Sequence, residues 1–305
     1  MKLQLDDVAL FVRVATLGTL SAAARERDTP VSQVTRALAR LEADCGVRLM
    51  HRSTHGLSLT DEGDAFLAQA RRLLDIRAEL QADLSGKIGR PSGWVRVSVS
   101  AVLAQDVIAP SLPSLYERHP ELRLDIAADD RIIDMAREGI DVAIRTGTPR
   151  SDTVVARQIG QLTRSLYASP AYLERSGMPR HPDELRQHRL VTYSTPASLN
   201  EWAWREGRAE RHFMAQGHTR VDNTAAMVAL VEAGAGISRI ADLVAAPRVA
   251  QGRLVPVLPG VFSPEPVAMH AVMLRERHRL PKVRACIDHW AEWMAQMARP
   301  ARRHA

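Results

Sequence analysis

The sequence predicts a small all-α domain followed by a larger α/β domain. Apolar residues recur at three- and four-residue steps early in the chain, as in Leu5–Ala15, which is the spacing of one helix face. After Pro91, short segments with alternating apolar residues, such as Val95–Val99, are interleaved with helical segments, and this alternation predicts βαβ units. A length of 305 residues is about that of two ordinary domains, so the chain can hold both.

The composition is that of an ordinary globular protein. Hydrophobic residues make up 46% and charged residues 25%, which excludes a collagen-like or wholly disordered chain. No charge-free run reaches the length of about 18 residues that a membrane-spanning helix needs, and Met1–Ala15 lacks the regions of a signal peptide. Cys45 and Cys286 stand outside any CxxC pair, so no disulfide, metal site or cofactor is predicted. We expect a cytoplasmic protein, and its net charge of +6 permits an anionic partner.

Three helices are predicted in the first part of the chain. The first covers Leu5–Ala15. Ser21 is predicted to cap a short helix at Ala22–Arg27, because its hydroxyl can accept a hydrogen bond from a free amide of the first turn. Thr29 is predicted to cap the third helix, with Pro30 at its first position.

The third helix has an apolar and a polar face. The residues predicted to face inward are Val34, Leu38, Leu41 and Cys45. The residues predicted to face outward are Ser32, Gln33, Arg36 and Arg40. Gln and Arg side chains can form bidentate hydrogen bonds with base edges in the major groove, and hydroxyls contact phosphates or bases. Two helices joined by a tight turn, with this face on the second, indicate a DNA-binding helix-turn-helix; a solvated face on an ordinary three-helix domain is the alternative.

A basic loop between two short extended segments follows the third helix. Val47–Leu49 and Leu57–Leu59 are predicted strands, and the tip between them contains His51 and Arg52, so we interpret the unit as a wing. Four blocks in this region carry a family resemblance: Ala22–Ala24, Val34–Glu42, Gly46–Arg52 and Gly56–Gly63. In the order and spacing of these blocks the chain resembles a LysR-type transcriptional regulator.

The resemblance implies a winged helix-turn-helix domain over residues 1–60 that binds double-stranded DNA. At matching positions it implies groove contacts from Ser32, Gln33 and Arg36 and phosphate contacts from Thr35 and Arg52, with Arg40 as a weaker candidate that is otherwise solvated. Val31 and His55 depart from the family pattern at positions suited to DNA contacts, so the resemblance implies no operator sequence.

A long helix is predicted to begin after Thr60. Thr60 precedes Asp61 and Glu62, which is the pattern of an N-cap followed by acids at the positive end of a helix dipole. Its apolar stripe consists of Phe66, Ala70, Leu73, Leu80 and Leu84. Such a helix must bury its stripe, and pairing with a second subunit is favoured over packing on its own domain. The resemblance implies dimerisation through it, so residues 61–88 are the expected linker of a homodimer or homotetramer.

The larger domain is predicted to alternate strands and helices around a largely parallel sheet. The predicted strands are Val95–Val99, Leu122–Ile126, Ile140–Arg145, Leu166–Ala168, Leu190–Tyr193, Gly236–Ser238 and Ala271–Leu274. The predicted helices are Ala104–Arg118, a segment with Ile132, Ile133 and Met135, then Asn223–Ala233, Ala241–Ala250 and Pro281 to about Met297.

The resemblance extends into this domain through five stretches: His119–Leu124, Gly139–Arg145, Ser169–Leu173, Asn223–Ala229 and Gly234–Ile237. It implies an effector-binding domain, residues 92–305, that is similar to periplasmic solute-binding proteins and has two Rossmann-like subdomains. Subdomain I is expected at about 92–164 and 268–305, and subdomain II at about 165–267. In that architecture a small molecule lies in the cleft between the subdomains, at strand ends and helix N-termini.

Six residues at matching positions are the candidate effector contacts: Ser100, Arg145, Thr146, Thr195, Asn223 and Thr224. Hydroxyls and helix amide groups bind carboxylates, so a carboxylate is an expected effector. An aromatic compound is the other expectation, because aromatic side chains lie in the same part of the sequence. Each residue has a plain alternative as an N-cap or turn residue, and Arg145 has one as the ion-pair partner of Asp141. Tyr193, Trp202 and Trp204 either line an aromatic pocket or belong to the core.

The motifs of common enzymes are missing from the sequence. It has no GxSxG, P-loop or HExxH motif, and Gly234, Gly236 and Arg239 form only a partial dinucleotide fingerprint, which we interpret as a helix-to-strand turn. The first alternative is a helix-turn-helix regulator with a pyridoxal-phosphate enzyme-like domain. Such a domain needs a Schiff-base lysine, and Lys282 is the one lysine of the large domain. A solute-binding protein that does not bind DNA is the second alternative.

We therefore predict a ligand-responsive LysR-type transcriptional regulator without catalytic activity. A ligand in the cleft is expected to favour one subdomain arrangement, move the linker helices and change DNA spacing or bending. RNA polymerase is a further candidate partner.

Overall fold

The computed structural model describes residues 3–53, 56–84, 91–131, 133–147, 154–206, 209–262, 266–275 and 277–298. Within those ranges no single helix is long and apolar enough to cross a membrane. The helices Leu5–Leu17 and Leu20–Glu26 meet that requirement only when they are taken together, and they are bent by 120° at their junction.

The N-terminal part folds into three helices and a two-stranded wing. Its elements are α1 (Leu5–Leu17), α2 (Leu20–Glu26), α3 (Val31–Cys45), β1 (Met50–Ser53) and β2 (Gly56–Leu59). The apolar faces predicted from the spacing of α1 and α3 form the core, where Phe11, Val34 and Leu41 are at most 1% exposed. Gly18 and Gly46 end α1 and α3 with a φ of 72°, in the left-handed region that favours glycine.

Two helix starts differ from the prediction. Thr19 rather than Ser21 caps α2, because the Thr19 hydroxyl accepts a hydrogen bond from the amide of Ala22 at 3.1 Å. Pro30, expected inside the third helix, is its N-cap, so the proposed Thr29 cap is wrong. In both cases the helix begins after the last residue with an extended backbone, and the neighbouring hydroxyl does not decide the start.

The predicted long helix is present as α4 (Asp61–Leu84). Thr60 caps it as expected: its hydroxyl accepts from the amide of Gly63 at 2.9 Å and donates to the carbonyl of Arg48 at 2.7 Å. A Cβ on Gly63 would lie 2.0 Å from the carbonyl oxygen of Leu49. The start of α4 therefore packs directly against the chain that enters the wing.

Strands and helices alternate in the C-terminal part. The first elements are β3 (Gly93–Val99), α5 (Ala101–Leu103), a π-helical turn (Ala104–Ile108), α6 (Ala109–Arg118), β4 (Leu122–Ala128), β5 (Val142–Thr146), β6 (Val154–Leu162), β7 (Arg164–Ala168) and α7 (Pro170–Ser176). A 3₁₀ turn (Pro182–Gln187), β8 (Val191–Tyr193), a second 3₁₀ turn (Ala197–Asn200), β9 (Glu201–Glu206), β10 (Ala209–Met214) and β11 (Thr219–Val221) follow. The last elements are α8 (Thr224–Glu232), β12 (Ser238–Ala241), α9 (Asp242–Ala250), β13 (Val255–Val257), β14 (Val267–Leu274) and α10 (Pro281–Met297).

Most of these strands form two mixed sheets, and β9 and β10 form a separate antiparallel hairpin. The first has the order β4-β3-β5-β14-β6, with β3 parallel to β4 and β5 and with β14 antiparallel to β5 and β6. In the second, β7 is antiparallel to β12 and β13, and the parallel pair β8–β11 joins through a bridge between Leu190 and Ile237. The prediction of a largely parallel sheet is correct for β3, β4 and β5 and for the pair β8–β11, whereas the other strand pairings are antiparallel. The chain leaves the first sheet after β6 and returns to it with β14, which runs against its neighbours.

One predicted helix is wrong. Ile132 lies outside the described residues, and Met135–Gly139 forms a turn rather than a helix. The carboxylate of Asp134 accepts from the amide groups of Ala136 and Arg137, and Gly139 has a φ of 66°. The apolar residues of this segment fill a small cluster over β5 and β14, so they give no helical face.

Candidate DNA interface and effector cleft

The outward face of α3 is open to solvent. Ser32, Gln33 and Arg36 are exposed, and Thr35 is partly exposed. Arg36 donates to the carbonyl of Ser32 at 3.3 Å, and within the described chain no acid pairs with it. α3 has no side-chain cap, and the amide of Gln33 donates to the carbonyl of Pro30 at 2.9 Å. Hydroxyl, amide and guanidinium groups are thus available together on one exposed helix face.

Arg40 lies one turn further along α3 but is engaged with the scaffold. Its guanidinium donates to both carboxylate oxygens of Asp7 on α1, at 2.9 and 3.1 Å, and Asp7 is 6% exposed. This bidentate contact raises the pKa of Arg40. The interpretation of Arg40 as a merely solvated side chain is wrong, because it holds α3 against α1.

The wing is tied to the C-terminal end of α3. The carboxylate of Glu42 accepts from the amide groups of Leu49 and Met50 at 2.9 and 3.1 Å. The first strand begins at Met50, later than predicted, and Arg52 lies on it. The tip at residues 54–55, which includes His55, lies outside the described residues.

The apolar stripe of α4 is divided between the core and the surface. The ring of Phe66 packs against that of Phe11 with centroids 5.3 Å apart, and Ala70 is buried. Leu73, Ile76 and Leu80 are 38%, 55% and 58% exposed, and Ile76 was not in the predicted stripe. The side chain of Leu84 lies outside the described part. The second half of α4 therefore exposes a row of apolar side chains, which is typical of a subunit contact.

Two sets of carboxyl strand ends meet in the C-terminal part, and we call each set the carboxyl edge of its sheet. Because β3, β4 and β5 are parallel, Ser100, Asp129 and Thr146 stand at one edge of the first sheet. Because β8 and β11 are parallel, Thr195 and Asn223 follow them at one edge of the second. α5 packs against α8 between these edges, which is the arrangement in which open α/β sheets hold ligands.

Arg145 is engaged on the first edge. Its guanidinium donates to the hydroxyl and carbonyl of Ser98, at 2.7 and 3.1 Å, and to the carbonyl of Arg131 at 3.2 Å. Burial lowers the pKa of Arg145, and the charges of Asp129 and Asp130 oppose that shift. Arg145 is thus a largely buried cation that is bonded to neutral groups.

The predicted alternative of an ion pair between Arg145 and Asp141 is wrong. Asp141 forms a buried pair with Arg277 and accepts from the amide of Arg96 at 2.8 Å. Asp141 precedes β5, whereas Arg145 is near the opposite end of that strand, so the two side chains serve different ends of the sheet.

Ser100, Thr146 and Thr195 are at strand ends. Ser100 caps α5, and its hydroxyl accepts from the amide of Leu103 at 3.4 Å, which is the plain alternative that the sequence allowed. Thr146 and Thr195 are exposed, and Thr195 precedes Pro196 in a cis peptide bond.

The start of α8 is occupied by groups of the chain itself. Asn223 is the N-cap, and its side-chain oxygen accepts from the amide of Ala226 at 3.0 Å. The amide of Thr224 donates to Asp130 at 2.8 Å, and the Thr224 hydroxyl is 2.9 Å from the Tyr193 phenol oxygen. The other carboxylate oxygen of Asp130 is buried and has no partner among the described residues.

Two charged residues of this region were missed from the sequence. Asp130 follows a predicted strand, so the rule that parallel strands end at one edge would have found it. Arg164 begins β7, directly after the chain crosses between the sheets, and burial lowers its pKa while a charge interaction with Tyr193 opposes that shift. No carboxylate pairs with Arg164 in the part of the chain that the structure describes. Its sequence carries no signal for this burial, which depends on the crossing.

The aromatic and enzyme-like features have structural roles. Trp202 and Trp204 are 1% and 8% exposed and pack against Phe262, so they belong to the core. Gly234 lies in the turn between α8 and β12, as interpreted from the sequence. Lys282 is buried on α10, which packs against β6. Among the described residues no group of His, Cys, Asp and Glu side chains is arranged to hold a metal ion.

Family models match both parts of the chain. Residues 5–64 match the model of the bacterial regulatory helix-turn-helix proteins of the lysR family. Residues 89–295 match the model of the LysR substrate binding domain.

Curated relatives and solved structures are similar over nearly the whole chain. A transcriptional repressor of Pseudomonas aeruginosa is 34% identical over 94% of this chain and 90% of its own length. A transcriptional regulator of Xanthomonas campestris is 32% identical over 93% of this chain and 83% of its own. The structure of CrgA, a LysR-type regulator of Neisseria meningitidis, has a TM-score of 0.64 at 26% identity and covers 98% of this chain and 100% of its own.

Proposed function

This chain belongs to the LysR family of bacterial transcriptional regulators, and on that premise we propose which of its residues contact DNA and effector. Double-stranded DNA binds the exposed face of α3 and the wing. A small molecule binds the cleft between the carboxyl ends of β3, β4 and β5 and those of β8 and β11. Its binding changes the affinity for the operator. The observation that carries the proposal is the exposed polar face of α3, which lies opposite a buried apolar face.

Ser32, Gln33 and Arg36 are the proposed groove contacts, and Thr35 and Arg52 the proposed phosphate contacts. Exposure of the first three on one helix face supports this assignment, since base edges are reached by side chains that leave the helix outward. Arg40 is left out of the set because Asp7 already occupies its guanidinium.

The proposed effector is a small carboxylate. Arg145 and Arg164 are both largely buried guanidinium groups with pKa values lowered by burial, so each gains from an anion that enters the cleft. Ser100, Thr146, Thr195, Asn223 and Thr224 are the proposed neutral contacts around it.

We propose the division of the chain that follows from these roles. Residues 1–60 bind DNA, residues 61–88 link and dimerise, and residues 92–305 bind the effector. The effector-binding part divides into subdomain I, about 92–164 and 268–305, and subdomain II, about 165–267. The crossings from β6 to β7 and from β13 to β14 lie at these boundaries and support the division.

The functional unit is a homodimer or homotetramer joined through α4. The row of Leu73, Ile76 and Leu80 supports this, because three exposed apolar side chains on one stripe of a helix gain from burial against a second copy. Sedimentation at micromolar concentration tests the proposal: a monomer would contradict it, and Leu80→Glu is expected to shift the species towards monomer.

The test of DNA binding is a salt-series titration. The purified protein is titrated with genomic fragments that include its own upstream region, with random DNA as competitor. We expect tight, competitor-resistant binding to a fragment with two half-sites. Binding that is equally weak on every fragment and is lost with modest salt would contradict a regulator that recognises a sequence.

Arg36→Ala sharpens that test. If Arg36 contacts a guanine, specific binding should weaken by about 1–3 kcal/mol while binding to random DNA stays the same. Arg36→Lys keeps the charge and removes the bidentate geometry, so it should lose most of the specificity too. Equal weakening on random DNA would instead assign Arg36 to a phosphate.

A further inference from the structure

A cavity lies between α6 and α10, on the side of the first sheet where β3 and β4 begin. We call it the α6–α10 cavity. Its volume is about 440 Å³, which is within the range of small-molecule sites. Its polar lining consists of Arg118, His119, Arg284, Asp288, His289 and Glu292. The cavity is therefore large enough for a small ligand and is rich in charged and hydrogen-bonding side chains.

The α6–α10 cavity is separate from the proposed effector cleft. Pro91 and His119, which line the cavity, precede β3 and β4, and these parallel strands run from there towards the carboxyl edge of the sheet. A strand of 7 residues such as β3 is about 20 Å long, so the cavity and the cleft lie at opposite ends of the strands. None of the candidate effector contacts lines the cavity.

Both acids of the α6–α10 cavity are already paired with arginines. Glu292 accepts from Arg118 at 2.5 Å, and Asp288 accepts from Arg157 on β6. Arg284 is exposed and has no carboxylate partner in the part of the chain that the structure describes. The carboxylates of the cavity are thus neutralised, and one guanidinium remains available to bind an anion.

His289 lines the cavity and carries a buried nitrogen without a partner. It is 4% exposed, and its Nε2 lies 2.9 Å from the carbonyl oxygen of Ser111 on α6. Because a carbonyl only accepts, Nε2 carries the proton, and Nδ1 of the neutral imidazole is an acceptor. Nδ1 is buried and has no hydrogen-bond partner among the described residues. A buried acceptor of this kind is stabilised by a donor group, which a ligand in the cavity can supply.

His119 indicates that the electrostatic potential in the cavity is positive. Burial lowers the pKa of its imidazole, and the neighbouring His289 and Arg118 lower it further. Within the described chain no carboxylate forms an ion pair with His119. A ligand that offsets this potential carries negative charge.

We propose that the α6–α10 cavity is a second ligand site, which binds a small oxyanion that also carries a hydroxyl group. The oxyanion binds Arg284 and the imidazole of His119, and the hydroxyl donates to Nδ1 of His289. Hydrogen phosphate and hydroxycarboxylates have this chemistry, whereas sulfate and simple carboxylates have the negative charge without the donor. Binding at this site requires neither the effector cleft nor DNA.

Titration of the full-length protein with inorganic phosphate tests the site. In hydrogen exchange, phosphate should protect the peptide covering residues 284–292 and leave the start of α8 unchanged. In calorimetry near neutral pH, phosphate should bind about fivefold more tightly than sulfate, as expected for one added hydrogen bond. Charge alone would make sulfate, which is fully ionised, bind at least as tightly. Glycolate and acetate give the corresponding comparison for a carboxylate.

Two variants assign the binding to named side chains. Arg284→Ala should weaken phosphate binding about tenfold, as expected for a lost charge-assisted hydrogen bond. Arg279→Ala is the matched control: it removes an exposed arginine from the same region that does not line the cavity, and it should leave the affinity unchanged. His289→Gln keeps a donor for Ser111 and removes the acceptor, so phosphate and sulfate should then bind equally. If His289→Gln does not fold, the comparison of the anions on the wild-type protein still decides.

Preference for phosphate over sulfate alone would support a phosphate ligand, and preference for glycolate over acetate alone would support a hydroxycarboxylate. Equal binding within both pairs would overturn the hydroxyl contact. Equal weakening by Arg279→Ala and Arg284→Ala would overturn the site, because a basic surface would then hold the anion. Protection confined to α8 would overturn it as well, because the cleft would then be the place of binding.

Discussion

The first turns of α3 and α8 both carry polar side chains, but those of α3 are exposed and those of α8 are bonded within the chain. The start of α3 has no side-chain cap, and its polar residues Ser32 and Gln33 are exposed. The start of α8 is capped by Asn223, and the amide of Thr224 is taken by Asp130. An open helix start offers its groups to a partner outside the chain. A closed one must first release an internal partner, so binding there is coupled to rearrangement.

The supports behind the two helices differ in the same way. α3 is held to α1 by the pair of Arg40 and Asp7, which lies at the surface on the arginine side. The sheet that carries the cleft is held by Asp141 and Arg277, whose side chains are 3% and 8% exposed. The ion pair of the N-terminal part thus has an exposed arginine, whereas both partners of the ion pair in the C-terminal part are buried.

The largest expected effect concerns the buried ion pair of Asp141 and Arg277. Asp141→Ala leaves Arg277 buried without its carboxylate and frees the amide of Arg96, so it should destabilise the C-terminal part by about 3–5 kcal/mol. Urea unfolding followed by tryptophan fluorescence measures it, because all five tryptophans lie at or beyond Trp94. Asp141→Asn keeps an acceptor for Arg96 and should cost less. Equal stability of wild type and Asp141→Ala would remove the contrast between the two regions.

A matched pair of substitutions compares the two helix starts directly. Asn223→Ala removes the cap of α8 and should cost about 1 kcal/mol of stability, whereas Ser32→Ala removes no cap from α3 and should cost almost nothing. Asn223→Asp restores an acceptor and should recover the loss. Chemical denaturation of the three variants gives the values. A cost for Ser32→Ala as large as that for Asn223→Ala would mean that the α3 start is closed as well.

Arg40→Ala separates scaffold from interface on α3. Because its guanidinium is bonded to Asp7, the substitution should lower the melting temperature slightly and leave the preference for specific over random DNA unchanged. Arg36→Ala, one turn away, should leave the melting temperature unchanged and reduce the preference for specific over random DNA. Thermal melting and competitive DNA titration of both variants measure the two effects. Loss of specificity in Arg40→Ala would return Arg40 to the DNA-contacting set.

Periodicity predicted the helices of this protein well because their apolar faces decide their positions. α10 has the predicted start at Pro281, and of the residues of α3 predicted to face inward, Val34, Leu38 and Leu41 are buried and Cys45 is partly buried. The long strand β6 and the hairpin of β9 and β10 were missed. Polar residues are frequent in them, and their place depends on pairing with distant segments such as β14, which no local spacing reveals.

The candidate site was less predictable than the fold. The sequence placed Thr224 at a helix start, but not the acid that binds it, because Asp130 is 94 positions away. From the sequence, Arg145 was a candidate for either an effector contact or an ion pair with Asp141. The structure excludes the ion pair because Asp141 binds the buried Arg277 instead. Long-range pairing of charges depends on topology, so a spacing rule can nominate such residues but not their partners.

The smallest expected effect concerns pH and again separates the two regions. His188 is buried in the C-terminal part, and its Nδ1 lies 3.1 Å from the Tyr172 phenol oxygen. Burial lowers the pKa of His188, so the unfolded chain takes up a proton more readily than the native one. The charge of Glu184 acts in the direction that raises the pKa of His188. The stability from this residue is complete above its ordinary pKa of about 6.5 and is lost as pH falls from there through the native pKa.

His188→Gln should therefore flatten the loss of melting temperature of the C-terminal part between about pH 7 and 5, relative to wild type. His119, whose pKa burial also lowers, remains in both proteins and cancels in the comparison. His51→Gln, at an exposed position of the wing, is the control. If His188→Gln lost stability with falling pH as steeply as wild type, burial of His188 would not be the source of the acid sensitivity of the C-terminal part.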